Sequence, residues 1–149
     1  CCSSEEWVVR MLRQRPFSDS EALHAAADSA WIGLREQDYL EAFSGHPKIG
    51  DIRSLEKKYS DAGNFATSEQ SGVKSASPDL LEKLSVANHA YEEKFGFIFI
   101  VCASGKNASE MLAMLQDRLE RDRETELKTA CEQQRQIFHL RLDKFVCQK

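Results

Sequence analysis

The stretch Phe97-Ile98-Phe99-Ile100-Val101-Cys102 decides how this chain folds, because its aromatic and β-branched residues carry the propensity of a buried strand. No second stretch reads as a strand to pair with it, and an isolated strand is not a stable element. It is therefore expected to run as one extended segment, about residues 95–103, threading the core of a single compact all-α, multi-helix domain over residues 1–149.

Working outward, helical spacing dominates. Ser77-Pro78-Asp79 supplies a cap, a first-turn proline and a first-turn acid for a helix through Leu80, Leu81, Leu84, Ala87, Tyr91 and Phe95, which Gly96 ends. Beyond the extended stretch, Asn107 or Ser109 can cap a helix through Met111, Leu112, Met114, Leu115 and Leu119. A last helix begins near Arg123 or Glu124 and carries Leu127, Ala130, Cys131, Ile137, Phe138, Leu140, Leu142, Phe145 and Val146. Toward the N-terminus, Ser3 and Ser4 can cap a helix with Trp7, Val8, Met11 and Leu12 on its apolar face, which Pro16 ends. Ser18 or Asp19 starts a second helix through Leu23, Ala26, Ala27, Ala30, Trp31 and Leu34, followed by a shorter one with Tyr39, Leu40 and Phe43. Residues 52–75, broken by Gly63, Asn64 and Gly72, read as loop-rich.

A chain of 149 residues with 42% hydrophobic content suits one ordinary domain with a real core. Charged residues nearly balance, at a net −4, so there is no basic field to draw the chain onto nucleic acid or anionic lipid. No apolar run approaches the ~20 residues of a membrane helix, and a soluble protein is expected. The five cysteines form neither a CxxC pair nor a zinc spacing and read as reduced thiols, with Cys102 a small core residue. The chain starts at Cys1 without methionine and reads as a piece of a longer polypeptide whose address signals lie elsewhere.

Three polar features stand out from this background. In Phe43-Ser44-Gly45-His46-Pro47-Lys48-Ile49-Gly50-Asp51, Pro47 disfavours helix at His46, so the preceding helix stops and a rigid turn presents the imidazole. A histidine so placed suits proton transfer near neutral pH, and it equally suits filling a helix end. Glu69, in Ser68-Glu69-Gln70, is either a functional carboxylate or a first-turn acid beside a cap at Thr67 or Ser68. Arg141, between Leu140 and Leu142, is either an anion-binding fork or a surface residue whose stem covers apolar neighbours. His24, His89 and His139 show no metal-ligand spacing, and no phosphate-cradling glycine motif occurs.

These blocks, in order, are the Trp31 helix, Leu40-Glu41-Ala42-Phe43 leading into the His46 turn, Ser68-Glu69-Gln70-Ser71, Phe95-Gly96-Phe97 through Cys102-Ala103, and Leu140-Arg141-Leu142. Together they resemble the 2-oxo-4-hydroxy-4-carboxy-5-ureidoimidazoline (OHCU) decarboxylase family over nearly the whole chain. The His46 block is most similar to the decarboxylase half of the plant bifunctional allantoin synthases, in which a transthyretin-like domain follows. The resemblance implies conversion of OHCU to (S)-allantoin in urate degradation, an all-helical homodimer, catalysis without metal or organic cofactor, and a peroxisomal home with the cytoplasm open as a second. It implies that His46 is the catalytic proton donor and Glu69 the carboxylate that orients it. Pro47, Ala66, Thr67, Ser68, Glu69, Gln70, Arg141 and the backbone of Phe99, Ile100, Val101, Cys102 and Ala103 match substrate-contacting positions. The chain departs from the family's usual pattern at Ile98, where proline is common, and at Ala66, where some members have serine. Competing classes are a non-catalytic helical interaction module and a hydrolase acting on another ureide or lactam.

Overall fold

The computed structural model of the chain describes residues 1–49 and 76–147. Among the described residues there are six α-helices and no strand, in two compact units, Cys1–Gly45 with Cys131–Lys149, and His46–Ala130. No helix among them is long and apolar enough to cross a membrane.

The first unit contains α1 (Glu5–Arg13), α2 (Ser20–Trp31), α3 (Glu36–Ser44) and the C-terminal part of α6 (Arg123–Cys147). Ser4 caps α1 by accepting from the Trp7 amide, and Asp19 caps α2 by accepting from the Ala22 amide at 2.7 Å. No short polar residue precedes α3. Asp38 instead reaches back to the Arg35 amide at 3.0 Å while gripping the Arg35 guanidinium, which holds its carboxyl below the usual range.

α1 packs on both α2 and α3. Phe138 of α6 meets Trp7 and Trp31 with ring centroids 5.4 and 5.6 Å apart, and the Trp7 indole donates to the Ala27 carbonyl at 3.1 Å. Three helices thus share one aromatic centre, in which the Trp7 indole N–H is satisfied. Val8, Leu12 and Phe145, expected on apolar faces, are exposed, Leu12 by 55% and Phe145 by 62%. On α1 the buried stripe is already filled by Trp7 and Met11, four residues apart, and Val8 and Leu12 lie about 100° further round. Phe145 lies in the last turn, where α6 ends.

The N-terminal segment crosses the end of α3 closely. A Cβ on Gly45 would lie 2.0 Å from the Ser3 hydroxyl oxygen and 2.6 Å from its Cβ, so only glycine fits without moving the chain.

The second unit contains α4 (Pro78–Phe95), α5 (Ala108–Leu119) and the start of α6, with α4 packed on α5. Ser77 accepts from the Leu80 amide, Pro78 takes the first turn, and Gly96 closes α4 at φ 78°, where glycine avoids the cost of a Cβ. Asn107 and Glu110 form a reciprocal capping box on α5.

Between these helices the extended segment runs buried, as expected, with Phe97, Phe99, Ile100, Val101, Cys102 and Ala103 all in the core. Basic side chains and a turn take the place of a partner strand. Arg123 donates to the Phe95 carbonyl at 3.1 Å, Arg118 to Ile100 at 2.8 Å and Lys106 to Cys102 at 2.7 Å, while the Lys106 amide donates to Ala103 at 3.1 Å. Arg118 is itself held by Glu126, whose Oε1 also accepts from the Tyr91 hydroxyl. Tyr91 packs its ring on Phe95, Phe97 and Phe99, and burial pushes its phenol well above the usual range.

Arg118→Met takes from a buried carboxylate its hydrogen-bonded cation, leaving Tyr91 and the more distant Arg121, and is expected to cost about 3–5 kcal/mol in urea unfolding, whereas adding Glu126→Leu should recover part of that loss. Additive losses would contradict the ion-pair account. Gly45→Ala is expected to cost about 1–3 kcal/mol through overpacking against Ser3, and an unchanged unfolding midpoint would show that the N-terminal segment moves freely.

Candidate functional site

The turn that follows α3 is built as the sequence implies. The helix ends at Ser44 with Gly45 as its C-cap, His46 is half-buried, and Pro47 and Ile49 are buried. α4 holds the turn from one side. Asn88 donates from Nδ2 to the Ile49 carbonyl at 2.9 Å, and Glu92, one helical turn later, pairs with Lys48. The same helix carries Tyr91 and Phe95 against the 97–103 segment. One helix thereby supports both the His46 turn and the extended backbone.

Among the described residues, the amides of Phe99, Ile100 and Val101 donate to no other residue. A buried N–H needs an acceptor, so this stretch suits a ligand carrying carbonyl groups. Arg141 lies in the other unit, half-buried on α6, where its guanidinium donates to the Cys1 carbonyl at 3.1 Å. Ala66, Thr67, Ser68, Glu69 and Gln70 lie outside the described residues.

The cysteines do not offer a thiolate nucleophile in two of the five positions: burial pushes the Cys131 thiol up to about 12 and also raises Cys2. Cys102 is buried, as expected. No group of three or more histidine, cysteine or acidic residues that could hold a metal occurs among the described residues.

A profile of the OHCU decarboxylase family matches residues 1–143. The chain belongs to the OHCU decarboxylase family. It is 39% identical over its whole length to the uric acid degradation bifunctional protein TTL of Arabidopsis thaliana, of which it spans 46%, about half. An OHCU decarboxylase of Haloferax volcanii is 28% identical over 91% of this chain and 79% of its own length. Among solved structures, an OHCU decarboxylase crystallised in the presence of (S)-allantoin superposes with a TM-score of 0.82 at 34% identity, covering 97% of this chain and 93% of that one. The helical fold of this family member's described residues agrees with that neighbour.

One polar cluster of the first unit was not legible in the sequence. His24 of α2 and His139 of α6 stack with centroids 4.9 Å apart and their Nδ1 atoms 2.6 Å apart, which requires one donor and one acceptor. Each Nε2 meets a carboxylate, His24 that of Asp143 at 2.9 Å and His139 that of Asp28 at 2.7 Å. Asp28 also takes a two-pronged contact from Arg135 at 2.7 and 2.8 Å. The available signal was the four-residue spacing of His24 to Asp28, Arg135 to His139, and His139 to Asp143, which puts each set on one helix face.

The Arg135 hydrogen bond, then that from His139, holds the Asp28 carboxyl below its usual range. A depressed folded pKa adds stability above the unfolded value of about 3.9 and loses it as the pH falls through the folded value. Asp28→Asn is therefore expected to melt below the parent at pH 5–7 and to converge with it at the lowest pH. A constant gap across that range would contradict the ion-pair account.

Proposed function

We propose that this chain decarboxylates OHCU to (S)-allantoin as a step of urate degradation, without metal or organic cofactor. The observation that carries the reading is the family match over residues 1–143 on a chain whose His46 turn and extended segment are both supported by α4. Relatives named for OHCU decarboxylation and uric acid degradation support the substrate class.

The reaction breaks the bond from the ring to its carboxylate, releases carbon dioxide and leaves the electron pair in the ring, after which a proton must arrive on one face. His46 supplies that proton. Glu69 accepts a hydrogen bond from one imidazole nitrogen, which fixes the tautomer and raises the basicity of the other. Arg141 holds an anionic or carbonyl oxygen through its planar fork. Pro47 and residues 66–70 match the family's substrate-contacting positions, and Gln70 and the amides of residues 99–103 would read the ureido and ring amide groups. The apolar side chains of residues 97–101 keep water from the reacting carbon and favour loss of the carboxylate.

The same reading takes the native protein as a homodimer, peroxisomal or also cytoplasmic, with a transthyretin-like domain following the decarboxylase. The length of the Arabidopsis relative and its bifunctional name support the last of these.

The test adds the protein to freshly generated urate-oxidation intermediates with the preceding hydrolysis complete and follows (S)-allantoin by circular dichroism. Optically active product should form rapidly, and His46→Ala should lose roughly 10²–10⁴ in rate while keeping its helical spectrum. Glu69→Gln should lose less, because the proton carrier remains. Arg141→Lys should raise KM despite keeping the charge. Racemic product at the uncatalysed rate would overturn the reading.

A further inference from the structure

We propose that Asn88 is a positioning residue for proton transfer at His46, and that the Lys48–Glu92 pair is a weaker second hold on the same turn. The inference rests on the reading of His46 as the proton donor.

Asn88 is 4% exposed, in the interior of α4. Both of its donors are used: Nδ2 meets the Ile49 carbonyl at 2.9 Å and the Leu84 carbonyl, one turn back in its own helix, also at 2.9 Å. These contacts fix the amide plane and its orientation, because turning it over would set Oδ1 against two carbonyl oxygens. The Oδ1 atom is buried and accepts no hydrogen bond among the described residues.

Such a residue is poorly suited to stabilising a helix. Asparagine is a weak helix former, its buried acceptor gains nothing from the described residues, and an apolar residue of similar shape would fill the space at no such cost. Its contribution is directional. The Ile49 carbonyl lies three residues beyond His46, past the stiff Pro47, so anchoring it to α4 sets where the turn presents the imidazole. Lys48 and Glu92 restrain the same turn, but their side chains are 44% and 40% exposed, so solvent screens the pair and Asn88 dominates.

Displacing a reacting group by about 1 Å can cost on the order of 10²-fold in rate. Asn88→Leu is therefore expected to lower kcat roughly 10- to 100-fold with KM within about twofold, and to shift the His46 imidazole nitrogen resonances. Leu115→Ala, a core truncation on α5, supplies a control that lowers the Tm without touching the turn, and should keep the parent kcat. Where Asn88→Leu does not fold, Asn88→Ser removes the same Ile49 contact and should show the same kcat loss. A kcat within twofold of the parent, or an equal loss in Leu115→Ala, would overturn the proposal. His46→Ala separates the two readings: if it stays active, the assignment of His46 fails, whereas if it is inactive and Asn88→Leu keeps the parent kcat, only the role of Asn88 fails.

Discussion

Glu126 is fully buried, and its carboxylate is tolerable there because Arg118 and Tyr91 donate to one oxygen while the Arg121 guanidinium lies 3.9 Å from the other. That constraint organises the second unit. With its guanidinium held by Glu126, Arg118 turns another N–H toward the Ile100 carbonyl and lies 4.6 Å from the centre of the Phe99 ring. An extended backbone can then cross the core without a sheet, since its carbonyls are answered by side chains from α5, α6 and the following turn. An apolar replacement of the ion pair would preserve volume and leave the Ile100 carbonyl unanswered.

The same economy recurs on α4. Asn88 and Glu92 hold the His46 turn, and Tyr91 and Phe95, between and beyond them, hold the extended segment. A loop can carry a precisely placed imidazole when its backbone is tied to a regular helix. The chemistry proposed for the family member, one proton delivered to one face of a ring, asks for that placement more than for any unusual reactivity.

Features set by neighbouring residues were legible in the sequence. Ser77, Pro78 and Gly96 bound α4 because caps, a first-turn proline and a left-handed stop act within one helical turn. Asn107 and Pro16 punctuate for the same reason, and the lack of a partner for residues 97–102 led to the extended segment. Features set by distant partners were hidden. Arg118, Glu126 and Asn88 carry polar side chains that read as solvated helix positions, and only tertiary packing makes them buried. His24 and His139 are 115 residues apart and meet only in the fold. Val8 and Leu12 belong to an apolar face by spacing, but spacing does not say how wide a face the neighbours cover. For His46, Glu69 and Arg141 the residues alone leave a structural role open, and it is the family resemblance that assigns them to the site; Glu69 lies outside the described residues.

The proposed function requires that the His46 turn and the 99–103 backbone, both supported by α4, meet one ligand. Titrating (S)-allantoin into isotopically labelled protein and following amide and imidazole resonances tests it most directly. The amides of Phe99, Ile100 and Val101 and the His46 ring should shift together along one binding curve. Shifts confined to one of the two groups, or two curves with different Kd values, would contradict it.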